Sequence, residues 1–431
     1  TEGSLSFSFT NTETGIVSDG RVGGNAFHYE GEAEGNPGVT ARANIINAGQ
    51  ILANGDGSAT SFHQEWTEAV YDEATDTWSN IDRVVDGTMY EVASALLVST
   101  EGGPELPLAV NISNTGTISA EGTYTVAVAV QATELTLVND GAIIGSNGIH
   151  FQPDDYISDD DMFESEEDGS DFRYLAGAIH TQFSKDNVVN NGTITGSVDL
   201  GSADDTLSNK GTMTGDIDLA EGNDRLENYG TIRGDILLGE GDDTFVHGIR
   251  ATFDGTADGG NGSDTLLVDT AGGGTLDNSL FDQFVSFEVV SLIGDGPISA
   301  VGELPVETIA VNGGNLTVEA GQTLATAGGT AITGSSNGEA VRNQGTIIGN
   351  VDLGAGDDRF EAAAGSRVDG SIRGGDGRDT FAIGFAGGND DPANVDLGNM
   401  EGFEALEVAQ GYGRVSGTLT FESINVAGGR L

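Results

Sequence analysis

The chain has 431 residues, of which 69 are Asp or Glu and 16 Lys or Arg, giving a formal net charge of −53. That balance excludes a nucleic-acid surface and direct adsorption to anionic lipid, since both need clustered Lys and Arg. It leaves cations, neutral or basic surfaces, glycans, or further copies of the chain as partners. With 68 glycines but 7 prolines, no cysteine and 6% aromatics, the composition suits ordered, turn-rich coils with a thin aliphatic interior. No run of about 18 apolar residues marks a membrane-spanning helix.

Residues 1–61 read as an N-terminal cap and first coils. Leu5-Ser6-Phe7-Ser8-Phe9 alternates apolar and polar residues, as a capping strand does. The stretch from Ala43 to Ile51 carries an Asn-x-Gly-x-Ile core, with Asn44 and Asn47 suited to stacking from coil to coil. Residues 62–88 break this pattern and hold both tryptophans. They read either as an insertion folded on the flank or as an aromatic recognition loop, with Trp66, Tyr71 and Trp78 as candidate partner-binding residues. Coils are expected to resume at Met89 and to run irregularly to residue 152, where Gly116 and Gly141 are 25 apart. Residues 153–174 form a second, strongly acidic insertion. It reads as a solvated loop or as a site for a cation or a basic partner.

The most regular stretch is Asn190–His247, where one 19-residue sentence recurs with Gly192, Gly211 and Gly230 in register. A fixed period near 20 residues, with short β-branched runs punctuated by Gly, Asn and Asp, predicts a solenoid. The expected fold is all-β, a right-handed parallel β-helix of about 19-residue coils with two irregular insertions. From Asn228 a longer unit repeats at an offset of 115, carrying Gly241-Asp242-Asp243 onto Gly356-Asp357-Asp358 and Asp264-Thr265 onto Asp379-Thr380. Residues 175–325 therefore hold regular coils and the first copy, and residues 326–431 the second. The pattern expects the coil to continue beyond Leu431.

Within these coils Gly-x-Gly-Asp-Asp turns and two nonapeptides of the form Gly-Gly-x-Gly-x-Asp, from Gly259 and from Gly374, gather carboxylates. Asp242, Asp243, Asp264, Asp357, Asp358 and Asp379 are candidate calcium ligands, because a hard cation takes six to eight oxygens and stacked turns supply them. The alternative is that each Asp caps its own turn through backbone amides. No other cofactor is called for. No catalytic residue emerges: His28, His63, His150, His180 and His247 are scattered, and neither an HExxH helix nor a Gly-x-Ser-x-Gly elbow occurs.

Coils of the form Asn-x-Gly-Thr-Ile-x-Gly, followed by Gly-x-Gly-Asp-Asp, Phe-Glu-x-Val/Leu and Ile-x-Val-x-Gly-Gly, resemble passenger domains of autotransporter proteins (type V secretion) of Gram-negative bacteria. The nonapeptides resemble the calcium-binding repeat of RTX proteins. The first resemblance implies export through a C-terminal outer-membrane β-barrel and display at the cell surface or release. It implies adhesion to a surface glycan or protein, self-association, or service as a structural stalk, and the absence of a recognised catalytic motif gives an enzyme reading little support. A calcium-stabilised surface-layer or RTX-like protein and a polysaccharide-active β-helix enzyme remain the alternatives.

Overall fold

The computed structural model describes residues 5–12, 16–22, 27–31, 41–54, 59–72, 77–90, 93–100, 108–121, 125–145, 177–276, 282–294, 296–304, 306–385, 393–396, 399–416 and 421–430. Their regular structure is strand throughout, with no helix, and parallel strands stack as the coils of a β-solenoid. The chain forms two compact units, Thr1–Gly201 with Met213–Asp216, and Ser202–Thr212 with Ile217–Leu431.

In the first unit each coil contributes one strand to each of three faces. The first face stacks Leu5–Asn11, Ala41–Asn47, Leu108–Asn114, Glu134–Asn139 and Lys185–Asn190, all parallel. The second stacks Ile16–Val22, Gln50–Asn54, Thr117–Glu121, Ala142–Ile144 and Thr193–Thr195. The third stacks Phe27–Gly31, Ala93–Thr100, Thr125–Val130, Gly177–Thr181 and Val198–Asp199. Leu5–Asn11 is thus a rung of the first coil, as its alternation predicts. Period-two alternation sends every second side chain inward, so register stacks like on like. Ile51, Ile118, Ile143 and Ile194 form one such buried column. Each contributes about 1.5–3 kcal/mol by leaving water.

Polar columns line the same interior. Asn11, Asn47, Asn114, Asn139 and Asn190 stack at one corner, each Nδ2 donating to the next Asn Oδ1 at 2.8, 2.8, 2.8 and 2.9 Å. The same nitrogens donate to the carbonyls of Gln50, Thr117, Ala142 and Thr193 at 3.1 Å. Asn44 forms a second, exposed pair, accepting from Asn111 at 3.2 Å.

Two insertions leave this unit from one corner, between the second and third faces. The chain departs after Asn54 in the second coil and after Gly145 in the fourth, returning at Ala93 and Gly177. The first insertion is longer than the sequence pattern marks. Ala59–Asp72 and Thr77–Tyr90 form an antiparallel hairpin that includes Met89, and coiling resumes at Ala93. Pattern alone misplaces the boundary because alternation is common to hairpin and coil strands. The acidic 153–174 segment lies outside the described residues.

In the second unit Thr206–Asn209, Arg225–Asn228, Thr244–Gly248, Thr265–Asp269, Val289–Ile293 and Ile309–Asn312 stack in sequence. The 19-residue register holds between the first three, then lengthens to 21 between Thr244 and Thr265. The two copies of the 115-residue unit share outer aromatic positions, Phe245 with Phe360 and Phe287 with Phe403, but link them differently. Phe245 meets Phe284, which meets Phe287. Phe360 instead stacks on Phe381, which meets Phe403, and Phe381 stands where the first copy has Leu266. The second copy also occupies a different sheet: Arg359–Ala362 and Thr380–Gly384 continue the sheet of Gly274–Leu276, not that of Thr244–Gly248.

Candidate functional site

The acidic turns concentrate the titratable groups of the second unit, and their geometry follows from alternation. Where two acidic or amide residues precede a strand, the first faces solvent and the second faces the core. The outward positions are Asp204, Asn223, Asp242 and Ser263, and each amide is received by the side chain of the coil before it. Asn223 N donates to Asp204 Oδ1 at 3.0 Å, Asp242 N to Asn223 Oδ1 at 2.8 Å, and Ser263 N to Asp242 Oδ1 at 3.0 Å. The inward positions run the opposite way. Asp205 N donates to Asp224 Oδ1 at 2.7 Å, Asp224 N to Asp243 Oδ1 at 2.7 Å, Asp243 N to Asp264 Oδ1 at 2.9 Å, and Asp264 N to Glu288 Oε2 at 2.7 Å. Neighbouring side chains therefore staple each coil in both directions.

The second copy repeats the device. Glu339 N donates to Asp358 Oδ1 at 2.7 Å, Asp358 N to Asp379 Oδ1 at 2.9 Å, and Asp379 N to Glu404 Oε2 at 2.8 Å. Outside, Arg378 N donates to Asp357 Oδ1 at 3.0 Å. The nonapeptide glycines serve this packing. A Cβ on Gly259 or Gly374 would lie 2.9 Å from the second carboxyl oxygen of Asp264 or Asp379. The first glycine of the motif is thus the space in which the aspartate sits.

Each inward carboxyl is half satisfied. Asp224, Asp243, Asp264, Asp358 and Asp379 are at most 2% exposed, and no donor reaches their Oδ2 atoms. Burial pushes Asp224 up to about 7, against the Asp205 amide and with the charge of Asp243. It pushes Asp243 up to about 6, and raises Asp264 and Asp379. Asp358 rises to about 7 through burial, opposed by the Glu339 amide and reinforced by the neighbouring Glu339 carboxyl. In the first unit, Thr181 Oγ1 lies 2.5 Å from Asp186 Oδ2 and 2.7 Å from the Leu200 carbonyl. Burial takes Asp186 up to about 6.

Capping of a residue's own turn occurs, but at different aspartates. Asp199, Asp218, Asp258 and Asp352 accept the amide two residues on, at 3.1, 3.1, 3.1 and 3.3 Å. For the six residues singled out as calcium ligands, the structure separates each adjacent pair. Asp242 and Asp357 are exposed, whereas Asp243, Asp264, Asp358 and Asp379 are buried. Among the described residues no group of three or more His, Asp and Glu side chains is placed to hold a metal ion. In the hairpin, Tyr71 stands opposite Trp78 and Trp66 opposite Arg83. His180 Nδ1 lies 3.0 Å from Asp199 Oδ2. His247 takes the register position of an asparagine, opposite Asn228, and packs against Phe245 and Phe284 at 5.8 and 5.6 Å. Its Nδ1 has no partner, and burial lowers its pKa to about 4.

The sequence pattern does not expose Glu339, Glu288 or Glu404 as column members. Glu339 follows Ser-Ser-Asn-Gly, without the Gly-Asp-Asp signature, and the Phe-Glu pairs read as repeat markers only. The available signal was the offset itself, since 224 and 339 differ by the same 115 residues. Comparison of the chain with known protein families, with curated proteins and with solved structures gave no match.

Proposed function

We propose that the protein is an extracellular, surface-displayed β-solenoid of the autotransporter passenger kind, acting in adhesion, self-association or as a structural stalk. Its coils form the scaffold, and the hairpin Ala59–Tyr90 is its contact element. The observation that carries this reading is the hairpin's pairing. Its two strands pair along their whole length with each other and with no other described strand. At about 3.3 Å per residue, 14 paired residues make an arm of roughly 45 Å. The described inward polar groups bond coil to coil and give a scaffold, which leaves recognition to what departs from it. The net charge of −53 adds solubility and directs the choice of partner toward neutral or basic surfaces.

The test replaces residues 59–90 with a short Gly-Ser link. The variant should keep the β-rich circular dichroism and melting temperature of the parent. It should lose binding to glycan arrays and host-cell surfaces, and any self-association seen by sedimentation. Unchanged binding and association would remove the hairpin from the role assigned to it.

A further inference from the structure

The inward carboxyl columns have a property that neither scaffolding nor adhesion requires. Their members Asp224, Asp243, Asp264, Asp358 and Asp379 are buried acceptor-only groups, one oxygen bound to the amide of the preceding coil and the other without a donor. An ionised carboxylate in that position is strongly disfavoured, because water is excluded and nothing replaces it. The charged groups facing the columns make matters worse, since all are acidic. Asp224 faces Asp204, Asp218 and Asp243, and Asp243 faces Asp242 and Asp264. Asp264 faces Asp242, Asp258 and Glu288; Asp358 faces Glu339 and Asp379; Asp379 faces Asp357, Asp376 and Glu404. A proton on the second oxygen removes the charge.

We propose that the two columns of buried carboxyls, Asp224 with Asp243 and Asp264, and Asp358 with Asp379, are proton-held locks between coils that tighten the second unit in acid and loosen it in alkali. Asp224, Asp243 and Asp358 hold their protons through the weakly acidic range. Folding thus takes up protons. Because the carboxyls titrate higher folded than unfolded, their stabilisation is complete below the ordinary aspartate range near pH 4 and is lost as pH rises through about 6 to 7. Each titrating group changes the folding constant by up to about tenfold per pH unit in that window. His247 works in the opposite sense between about 6.5 and 4, but it is one group against several.

The full chain would be unfolded in urea from pH 4.5 to 8.5 at constant ionic strength, with EDTA present. Three proteins are compared: the parent, the buried set D224N/D243N/D358N, and the exposed set D204N/D242N/D357N, which removes as many carboxyls. The parent midpoint should fall with rising pH, the buried set should flatten that slope, and the exposed set should leave it. On the parent alone, infrared spectra should show a protonated-carboxyl band at pH 5.5 that disappears by pH 8.5 while the fold persists. Equal flattening by both sets would assign the slope to general charge repulsion and overturn the proposal. So would a midpoint that rises with pH, or absence of the infrared band. A calcium-induced rise at pH 8.5, lost in the buried set, would make the columns a cation site instead and also overturn it.

Discussion

The asparagine column of the first unit and the carboxyl columns of the second solve one problem with different chemistry. Both stack a polar side chain at the corner of successive coils, about 4.8 Å apart, out of contact with water. An amide carries donor and acceptor, so Asn47, Asn114 and Asn139 satisfy one another and a backbone carbonyl besides. A carboxylate carries acceptors only. Asp224 and Asp243 borrow a backbone amide for one oxygen and leave the other unmatched. The amide ladder is indifferent to pH, whereas the carboxyl ladder is complete only when protonated. The lesson is that an isosteric change from Asn to Asp turns a structural column into a titrating one.

Substitutions can break this contrast, beginning with the largest effect. Asn114→Asp removes the donor to Asn139 and Ala142 at a fully buried position and should cost about 3 kcal/mol. It should also add to the first unit an acid-favoured contribution beyond that of Asp186, read as a larger loss of urea midpoint at pH 8 than at pH 5. A loss independent of pH would undo the contrast. Next comes His247→Leu. The folded state holds this imidazole neutral down to about 4, so it costs stability as pH falls from about 6.5. The variant should therefore remove up to about tenfold per pH unit of acid destabilisation in that range, measured by the same titration. Asp242→Ala deletes one exposed staple to the Ser263 amide and should cost about 1 kcal/mol. Smallest is Asn44→Ala, which loses an exposed amide pair with Asn111. A few tenths of a kcal/mol is expected, and a shift above about 1 kcal/mol would mean the outer ladder carries load as well.

The solenoid was legible because register writes itself into sequence. Gly192, Gly211 and Gly230 recur every 19 residues, and the strands Thr206–Asn209, Arg225–Asn228 and Thr244–Gly248 pair at that spacing. The candidate site was legible only as composition. The Asp-Asp pairs are conspicuous, yet their division into outward and inward roles depends on where the strand begins, and a one-residue shift would exchange them. The glutamates escaped because Glu288 and Glu404 stand at an aspartate's register position without the Gly-Asp-Asp signature around them. His247 hid for the converse reason. Its neighbours Asn209 and Asn228 announce an amide column, and only packing against Phe245 and Phe284 shows that the column gives way to aromatic contacts there.

The two departures of the chain from the first unit share one corner, after Asn54 and after Gly145, two coils apart. At about 4.8 Å per coil these points lie roughly 10 Å from each other. That edge behaves as a docking rail for foreign sequence. Coils on either side stay in register whether the excursion is a long hairpin or a short loop such as the one between Thr117–Glu121 and Thr125–Val130. A segment grafted at the corresponding point of the third coil, between residues 121 and 125, would emerge midway between the two natural excursions. The rail offers designers three sites with a fixed pitch, and it shows how a lineage of such coils can change what it displays without rebuilding what holds it up.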